Sequence, residues 1–474
     1  MGKKRFIINV FIMSASMLIT RTVATIANIY VSSQIGATAM GVYHMIFSVF
    51  TFGITIASSG AGFAVTRLVS ENRLDKQSIL KKGLEVALTM SVVGTIMFLF
   101  SAGYLKRHFI HNPMADKALK LLAFSLPCMS VSSVFRGYFI ALRKAGRVTA
   151  CALFEESVCI VSTLIFLKKF SGTSGGYMCL VYGCFLSNVA SLIFDGINVY
   201  NSVQNVEIRH NKSSLKSILT ICIPIALGSY LRTALVALEN LMIPMQFAKY
   251  GIDNPVGEYG TIKGMAMAVV MFPTVFIQAF SQMLVPEMSE MNAVGRKNGI
   301  RHVSNISINT VMLFSVFVSL MLLSHHEVIS RSFFKEARVS SYLGLLALLC
   351  IPMYLDTVAD SILKGLGLQN ACLKYNIIDS AIRTTAIFLL MPRFGPLFYI
   401  AMLYISEIFN LILSLGKASS ASNIKVDFSK AVMLPFFGFL SAWWIKNPIL
   451  QTLMYITVYL VADKFTEKKK YRSR

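Results

Sequence analysis

Stretches of roughly twenty apolar residues recur along the entire chain, and each is long enough to cross a hydrocarbon core of about 30 Å as a helix. This feature fixes most of what the chain can become. In lipid, every backbone N–H and C=O must be satisfied inside the spanning element, so continuous apolar runs are helices. A transmembrane barrel is excluded, because its strands are short and alternate apolar with polar residues. Composition agrees. Only 14% of the residues are charged, against about 25% in soluble domains, and the mean hydropathy is +0.64. The fold class is an all-α polytopic membrane protein. Fourteen spans are expected, near 6–33, 42–68, 83–105, 118–140, 149–167, 175–203, 215–245, 260–285, 303–323, 341–363, 373–391, 395–416, 428–445 and 448–463.

The net charge of +23 would suggest nucleic acid on a soluble protein. On a membrane protein, lysine and arginine mark cytoplasmic loops instead, and no nucleic-acid partner is expected. With a cytoplasmic N-terminus, the inside segments gather Lys81, Lys82, Arg143, Lys144, Arg147, Arg296, Lys297, Arg301 and the tail Lys468, Lys469 and Lys470. The expectation is a multi-pass protein of the cytoplasmic membrane with both termini inside. Lys3-Lys4-Arg5 followed by an apolar run mimics a secretory signal, but the run is too long and lacks a small-x-small cleavage site, so it reads as a retained first span. The eight cysteines form no C-x-x-C pair and lie in or beside apolar runs. They read as reduced packing residues, with neither disulfide nor metal implied. No cofactor is expected, since no glycine-rich phosphate loop ending in Gly-Lys-Ser or Gly-Lys-Thr occurs. His325-His326 and the pair His108 and His111 fall in outer loops, where solvation is the simpler role.

An internal repeat is legible. Gly41-Val-Tyr43 opens the second span and Gly257-Glu-Tyr259 opens the eighth. Gly146 to Cys151 and Gly367 to Cys372 follow the fourth and tenth spans in the same way. The period holds six spans. Six is even, so both copies enter the membrane from the same side, as a parallel repeat. The expected organisation is an N-terminal six-helix lobe over 1–205, a second over 206–425, and two extra helices with a basic tail over 426–474. Transporters use such duplication, with substrate handled between the halves.

Charges inside spans carry the functional reading. A charge at the bilayer centre costs roughly 3 kcal/mol or more, so it faces protein or a wet cavity. The candidates are Arg21, Asp195, Arg232, Glu239, Lys263, Asp356, Asp360, Asp379, Arg383 and Glu407. Asp379 and Arg383 are four apart on one helix, which suits an internal ion pair. Asp356 and Asp360 share a face and either pair with a neighbouring cation or hold a coupling cation. Arg232 and Glu239 share a face two turns apart. Asp195 and Glu407 read as structural, and Glu155 and Glu156 as the cytoplasmic start of the fifth span. Arg21 differs. No acidic residue precedes Glu71, so its partner is either a carboxylate on another helix or an anionic ligand. A guanidinium grips phosphate through a rigid fork.

The stretches QIGATAMGVY (Gln34–Tyr43), SGAGFAVTRLVSE (Ser59–Glu71) and FPTVFIQAFSQMLVPEMSE (Phe272–Glu290) resemble the flippases of the multidrug/oligosaccharidyl-lipid/polysaccharide superfamily. The branch they are most similar to is that of the stage V sporulation protein B-like polysaccharide exporters, with the lipid II flippases as cousins. The resemblance implies two six-helix lobes and a central cavity that opens alternately to each side. Thr20-Arg21 looks like the serine-arginine of the lipid II branch's first helix, which would give Arg21 a head-group role. That branch also carries an arginine shortly before the Phe-Pro of its eighth helix. Here Met265 to Ala268 stand there, and Lys263 is the nearest cation.

The function expected is a flippase for a lipid-linked oligosaccharide or peptidoglycan-type pyrophosphate precursor. Arg21, Arg232, Lys263 and Glu239 are its cavity candidates. Asp356, Asp360, Asp379 and Arg383 are candidates for ion pairing or for a coupling cation, a proton or sodium. Membrane lipids surround it, and it is not an enzyme. The alternative is a cation-coupled multidrug exporter of the same superfamily, which needs a carboxylate in its cavity.

Overall fold

A computed structural model describes residues 3–58, 60–71, 75–142, 144–170, 175–203, 215–334, 336–422, 434–442, 445, 447, 450–451 and 453–458. The described residues are helical, joined by turns and short links, and contain no strand. Among the described residues, eight helices are long and apolar enough to cross a membrane, or nine with one bent pair. The chain divides into two compact units, Met1–Gly260 and Thr261–Arg474. The expected lobe boundaries, at 205/206 and 425/426, lie outside the described residues.

The first unit holds α1 (Lys3–Ile35), α2 (Ala37–Ser58), α3 (Ala61–Glu71), α4 (Lys76–Leu105), α5 (Ala115–Ala141), α6 (Ala145–Phe170), α7 (Met178–Val203), α8 (Leu215–Tyr250) and α9 (Pro255–Tyr259). Asp75 caps α4, its carboxylate accepting from the Ser78 N–H at 2.8 Å, and so satisfies a donor left over at the helix start. Around α5 pack α2, α3, α4 and α7, while α6 lies along α7 and α1 along α6. Lipid tails are as apolar as leucine, so close backbone approach and hydrogen bonds, rather than hydrophobic burial, hold such helices together. The α3–α5 contact shows this. Gly62 and Gly137 let the two backbones meet, with Ser133 alongside, and Thr66 donates to both the Gly62 and Gly137 carbonyls, at 2.8 and 2.9 Å.

The second unit holds α10 (Met267–Met271), α11 (Thr274–Ala293), α12 (Lys297–Phe333), α13 (Ala337–Leu346), α14 (Cys350–Gly365), α15 (Gln369–Ser422) and α16 (Leu434–Ala442). A π-helical turn, Gly260–Ala266, leads into α10. The path from α9 through α10 to α11 bends by 57° at Phe272-Pro273, because proline withdraws a backbone donor and its ring clashes with the preceding turn. At 54 residues, α15 is far longer than the ~20 needed for one crossing. Gly395 breaks it, with φ 67°, so its limbs 369–394 and 396–422 match the expected eleventh and twelfth spans. The first and seventh expected spans coincide with α1 and α8, of 33 and 36 residues. The last two fall largely outside the described residues. Their described parts dock on α12: Tyr455 meets Phe317 at 5.1 Å between centroids, and Gln451 donates to Ser324 at 3.2 Å.

The two repeat motifs at the starts of the second and eighth spans meet within the first unit. A methyl on Gly41 would overlap the Val256 carbonyl oxygen, and one on Gly260 would overlap that of Ala37. The Asn254 amide donates to the Thr38 hydroxyl at 2.9 Å, and Asn254 Oδ1 accepts from Gly257 N–H to cap α9. Thr38 and Asn254 are 216 positions apart, so residues distant in the sequence meet at this crossing. Gly260→Ala is expected to destabilise the purified protein by about 1–3 kcal/mol through overpacking against backbone. Gly416→Ala, where a methyl meets open space, is expected to leave stability equal or slightly raised. Thermal unfolding in detergent reads both, and equal behaviour of the two variants would refute the tight crossing.

Candidate functional site

Three helices of the first unit bring four polar side chains together at membrane depth. Arg136 lies on α5, Glu155 on α6, and Ser191 and Asp195 on α7. The guanidinium pairs with the Glu155 carboxylate, donates from Nε to Asp195 at 3.2 Å and reaches the Ser191 hydroxyl at 2.7 Å. Ser191 in turn donates to Glu155 at 3.2 Å. Asp195 is fully buried. One arginine thus serves two carboxylates. Buried ions are tolerated only when paired and hydrogen-bonded in this way.

Arg136 was not among the sequence candidates. It stands inside the fourth expected span, so the signal was present, but its partners are 19 and 59 positions away. Only helix packing selects them. The network also corrects the reading of Glu155 and Glu156 as the cytoplasmic start of a span. Both lie well inside α6 and line a cavity of about 260 Å³, together with Asn28 of α1, Tyr43 and Phe47 of α2, and Asn188 of α7. The Tyr43 and Phe47 rings stack at 5.4 Å. The cavity therefore offers two carboxylates beside an aromatic wall.

Arg21 is exposed on α1, and its charge acts on Glu156. The carboxylate that no residue of its own helix could provide comes from α6. Arg232 is exposed on α8, whereas Glu239 of the same helix is 3% exposed. The neighbouring Asn240 accepts from the Tyr259 hydroxyl at 2.8 Å.

In the second unit, Asp379 and Arg383 stand 3.7 Å apart on one limb of α15. Ser406 of the other limb joins them, accepting from Arg383 at 2.9 Å and donating to Asp379 at 2.6 Å. Asp360 lies 3.5 Å from Lys364 and accepts from Ser414 at 3.2 Å. Lys263, in the π-helical turn, sits where its charge reaches Glu407. All eight cysteines are free, and no cluster of three or more His, Cys, Asp or Glu suited to a metal ion occurs among the described residues. His325 and His326, expected in an outer loop, are instead part of α12, where His326 Nδ1 faces the Ser340 hydroxyl at 3.0 Å.

Arg136→Ala leaves two carboxylates unpaired and is expected to cost about 3–5 kcal/mol. Adding Glu155→Gln and Asp195→Asn to the same chain is expected to recover most of that loss. Fluorescence-detected size exclusion after heating would show both effects, and a failure of the triple variant to recover would sink the pairing.

The family model for polysaccharide biosynthesis proteins matches residues 6–292. Stage V sporulation protein B of Bacillus subtilis (strain 168) is 22% identical over 416 residues, covering 83% of this chain and 79% of its own length. In fold, the chain is similar to the lipid II flippase MurJ in an inward closed conformation, with a TM-score of 0.75 at 12% identity, covering 97% of this chain and 100% of the other. It is also similar to a MATE family multidrug resistance transporter of the MOP superfamily in an inward-facing conformation, with a TM-score of 0.67 at 15% identity over 87% and 99% of the two chains. The chain therefore belongs to the polysaccharide biosynthesis protein family, as a multi-pass membrane protein whose fold is similar to that of the lipid II flippase and the MATE family transporter.

Proposed function

We propose that this chain flips a lipid-linked oligosaccharide or peptidoglycan-type pyrophosphate precursor across the cytoplasmic membrane by alternating access, with both termini cytoplasmic. The six-helix lobes 1–205 and 206–425 are its moving parts, and 426–474 adds two helices and a basic tail. The observation that carries the reading is a pair of guanidinium groups, Arg21 and Arg232, exposed within long apolar helices of the first unit. Exposure to lipid tails would cost each of them several kcal/mol, so each needs a wet or anionic environment, and a pyrophosphate head group provides one. No covalent step is required. A membrane potential positive outside favours outward movement of an anion by about 2.3 kcal/mol per charge per 100 mV.

Membership of the polysaccharide biosynthesis protein family supports this reading. Cells depleted of the protein are expected to accumulate lipid-linked precursor. Arg21→Ala is expected to leave that accumulation uncorrected, with Arg21→Lys restoring part of the activity. Full rescue by Arg21→Ala, at wild-type protein level, would remove the head-group role.

The cavity with Glu155 and Glu156 beside Tyr43 and Phe47 favours a second reading, cation-coupled export of amphipathic organic cations. Aromatic faces and carboxylates both attract cations. The two readings separate in one strain: raised tolerance to cationic dyes without any change in precursor level would support export.

A further inference from the structure

At one end of the first unit, helix termini gather cations that neither the ion-pair networks nor the cavity uses. Lys106 and Arg107 open a π-helical turn, Lys106–Ile110, that extends α4. Lys117 and Lys120 stand in the first two turns of α5, and Lys168 and Lys169 in the last turn of α6. One carboxylate lies among them: Asp116 holds Lys120 at 2.9 Å. Among the described residues, no carboxylate stands within ion-pair reach of Lys106, Arg107, Lys117, Lys168 or Lys169. Arg107, Lys117, Lys168 and Lys169 are exposed, and Lys106 is half-buried. Six cations and one carboxylate leave a net charge of +5. Lys249, in the last turn of α8, and Asp253 just beyond it cancel one another in charge.

The links that carry these termini are locked together. The Tyr177 hydroxyl, just before α7, donates to Asn112 Oδ1 at 2.8 Å, and the same oxygen accepts from the Met114 N–H at 3.0 Å. A methyl on Gly175 would overlap the Met114 sulfur, so the link into α7 lies directly against the link into α5. The His111 N–H donates to the Lys106 carbonyl at 2.9 Å and closes the π-helical turn. Since α4 packs on α5, α5 on α7 and α7 on α6, the cations line a rim of adjacent helix ends. Helix axes in contact are about 8–10 Å apart, so the rim extends up to about 30 Å. Charges held on a fixed frame lose little freedom when a ligand engages them.

We propose that this rim is a docking surface for a linear polyanion, a polymer with anionic groups repeated along its chain, on the outer side of the membrane. The side rests on the topology proposed above, in which α4 and α6 end outside and α5 and α7 begin there. The tendency of lysine and arginine to stay in the cytoplasm explains the cations at the other end of these helices; it gives no reason for a net +5 at this one. A small anion would neutralise a fraction of that charge. A lipid head group fits a basic pocket between two helices, whereas these cations are spread over the ends of three helices and face outward. A chain of anionic groups reaches all of them at once, and the complementary charge both steers its approach and holds it. Lysine, which supplies five of the six cations, acts as a point charge without a fixed fork, so the surface reads charge density rather than one chemical group.

The test uses the full-length protein in neutral detergent, with fluorescent long-chain polyphosphate as the probe and orthophosphate at equal phosphate as the control. Saturable polyphosphate binding is expected, and orthophosphate is expected not to compete. Affinity should fall steeply with salt, by roughly 3–4 decades per decade of salt for about five neutralised charges. Two double variants, Lys106→Glu with Arg107→Glu and Lys168→Glu with Lys169→Glu, are each expected to weaken binding at least tenfold. The same exchange at the opposite end of α4, Lys81→Glu with Lys82→Glu, is expected to leave affinity within twofold. Lys168→Gln with Lys169→Gln removes charge without reversing it and is expected to weaken binding less. Wild-type affinity in both rim variants would overturn the proposal, as would an equal loss in the Lys81/Lys82 control. Anionic phospholipid that co-purifies with the wild type and not with the rim variants, without polyphosphate binding, would overturn it in favour of a lipid. Labelling of Lys169→Cys by a membrane-impermeant maleimide, with the wild type as background, is expected in intact cells; labelling only after lysis would overturn the outer placement. Binding in detergent does not depend on orientation or on transport, and precursor accumulation in the Arg21→Ala strain reads transport alone, so the two failures are distinguishable.

Discussion

A charged side chain that enters a bilayer must bring its compensation with it. Water is not there to solvate it, and a lone charge at the bilayer centre costs roughly 3 kcal/mol or more. This constraint organises both units. Arg136 is held by Glu155 and Asp195 from two other helices, and Arg383 by Asp379 and Ser406. Each network joins at least two helical segments, so the ion pairs also act as ties. In a medium that supplies no hydrophobic drive between helices, such ties and close backbone contacts are the main specific attractions available.

The same constraint separates structural charge from functional charge. Arg136 and Arg383 have carboxylate partners within reach, which is how a buried ion becomes part of the frame. Arg21 and Arg232 are instead exposed on apolar helices, with the Arg21 charge acting on Glu156 of α6, and Asp360 of α14 faces Ser414 of the second limb of α15. The glycine crossing near Gly41 and Gly260 follows the same rule, since it joins helices by close backbone approach and the Asn254–Thr38 hydrogen bond.

Much of the fold was legible. The spacing of apolar runs gave helices at close to the observed positions, because a membrane span needs a length and a composition that few other elements share. The Asp379–Arg383 pair was readable from its four-residue spacing on one helix. Arg136 was as visible a charge as Arg21, yet its role was not readable, since its partners sit 19 and 59 positions away. Glu155 was read as a surface residue for the same reason: an acid near the start of a span looks like a helix terminus until its neighbour helix is known.

The sequence by itself determined the class of the protein, the solvent of its helices and the list of charges that had to be accommodated. Those properties follow from local composition and period, which short stretches of chain contain in full. Tertiary structure alone decided which charges meet: that α6 and α7 close over Arg136, that Glu156 faces Arg21, and that Asp360 of α14 meets Ser414 of α15. Pairing between helices depends on rotation and depth in three dimensions, and neither is encoded in the spacing of residues along any single helix.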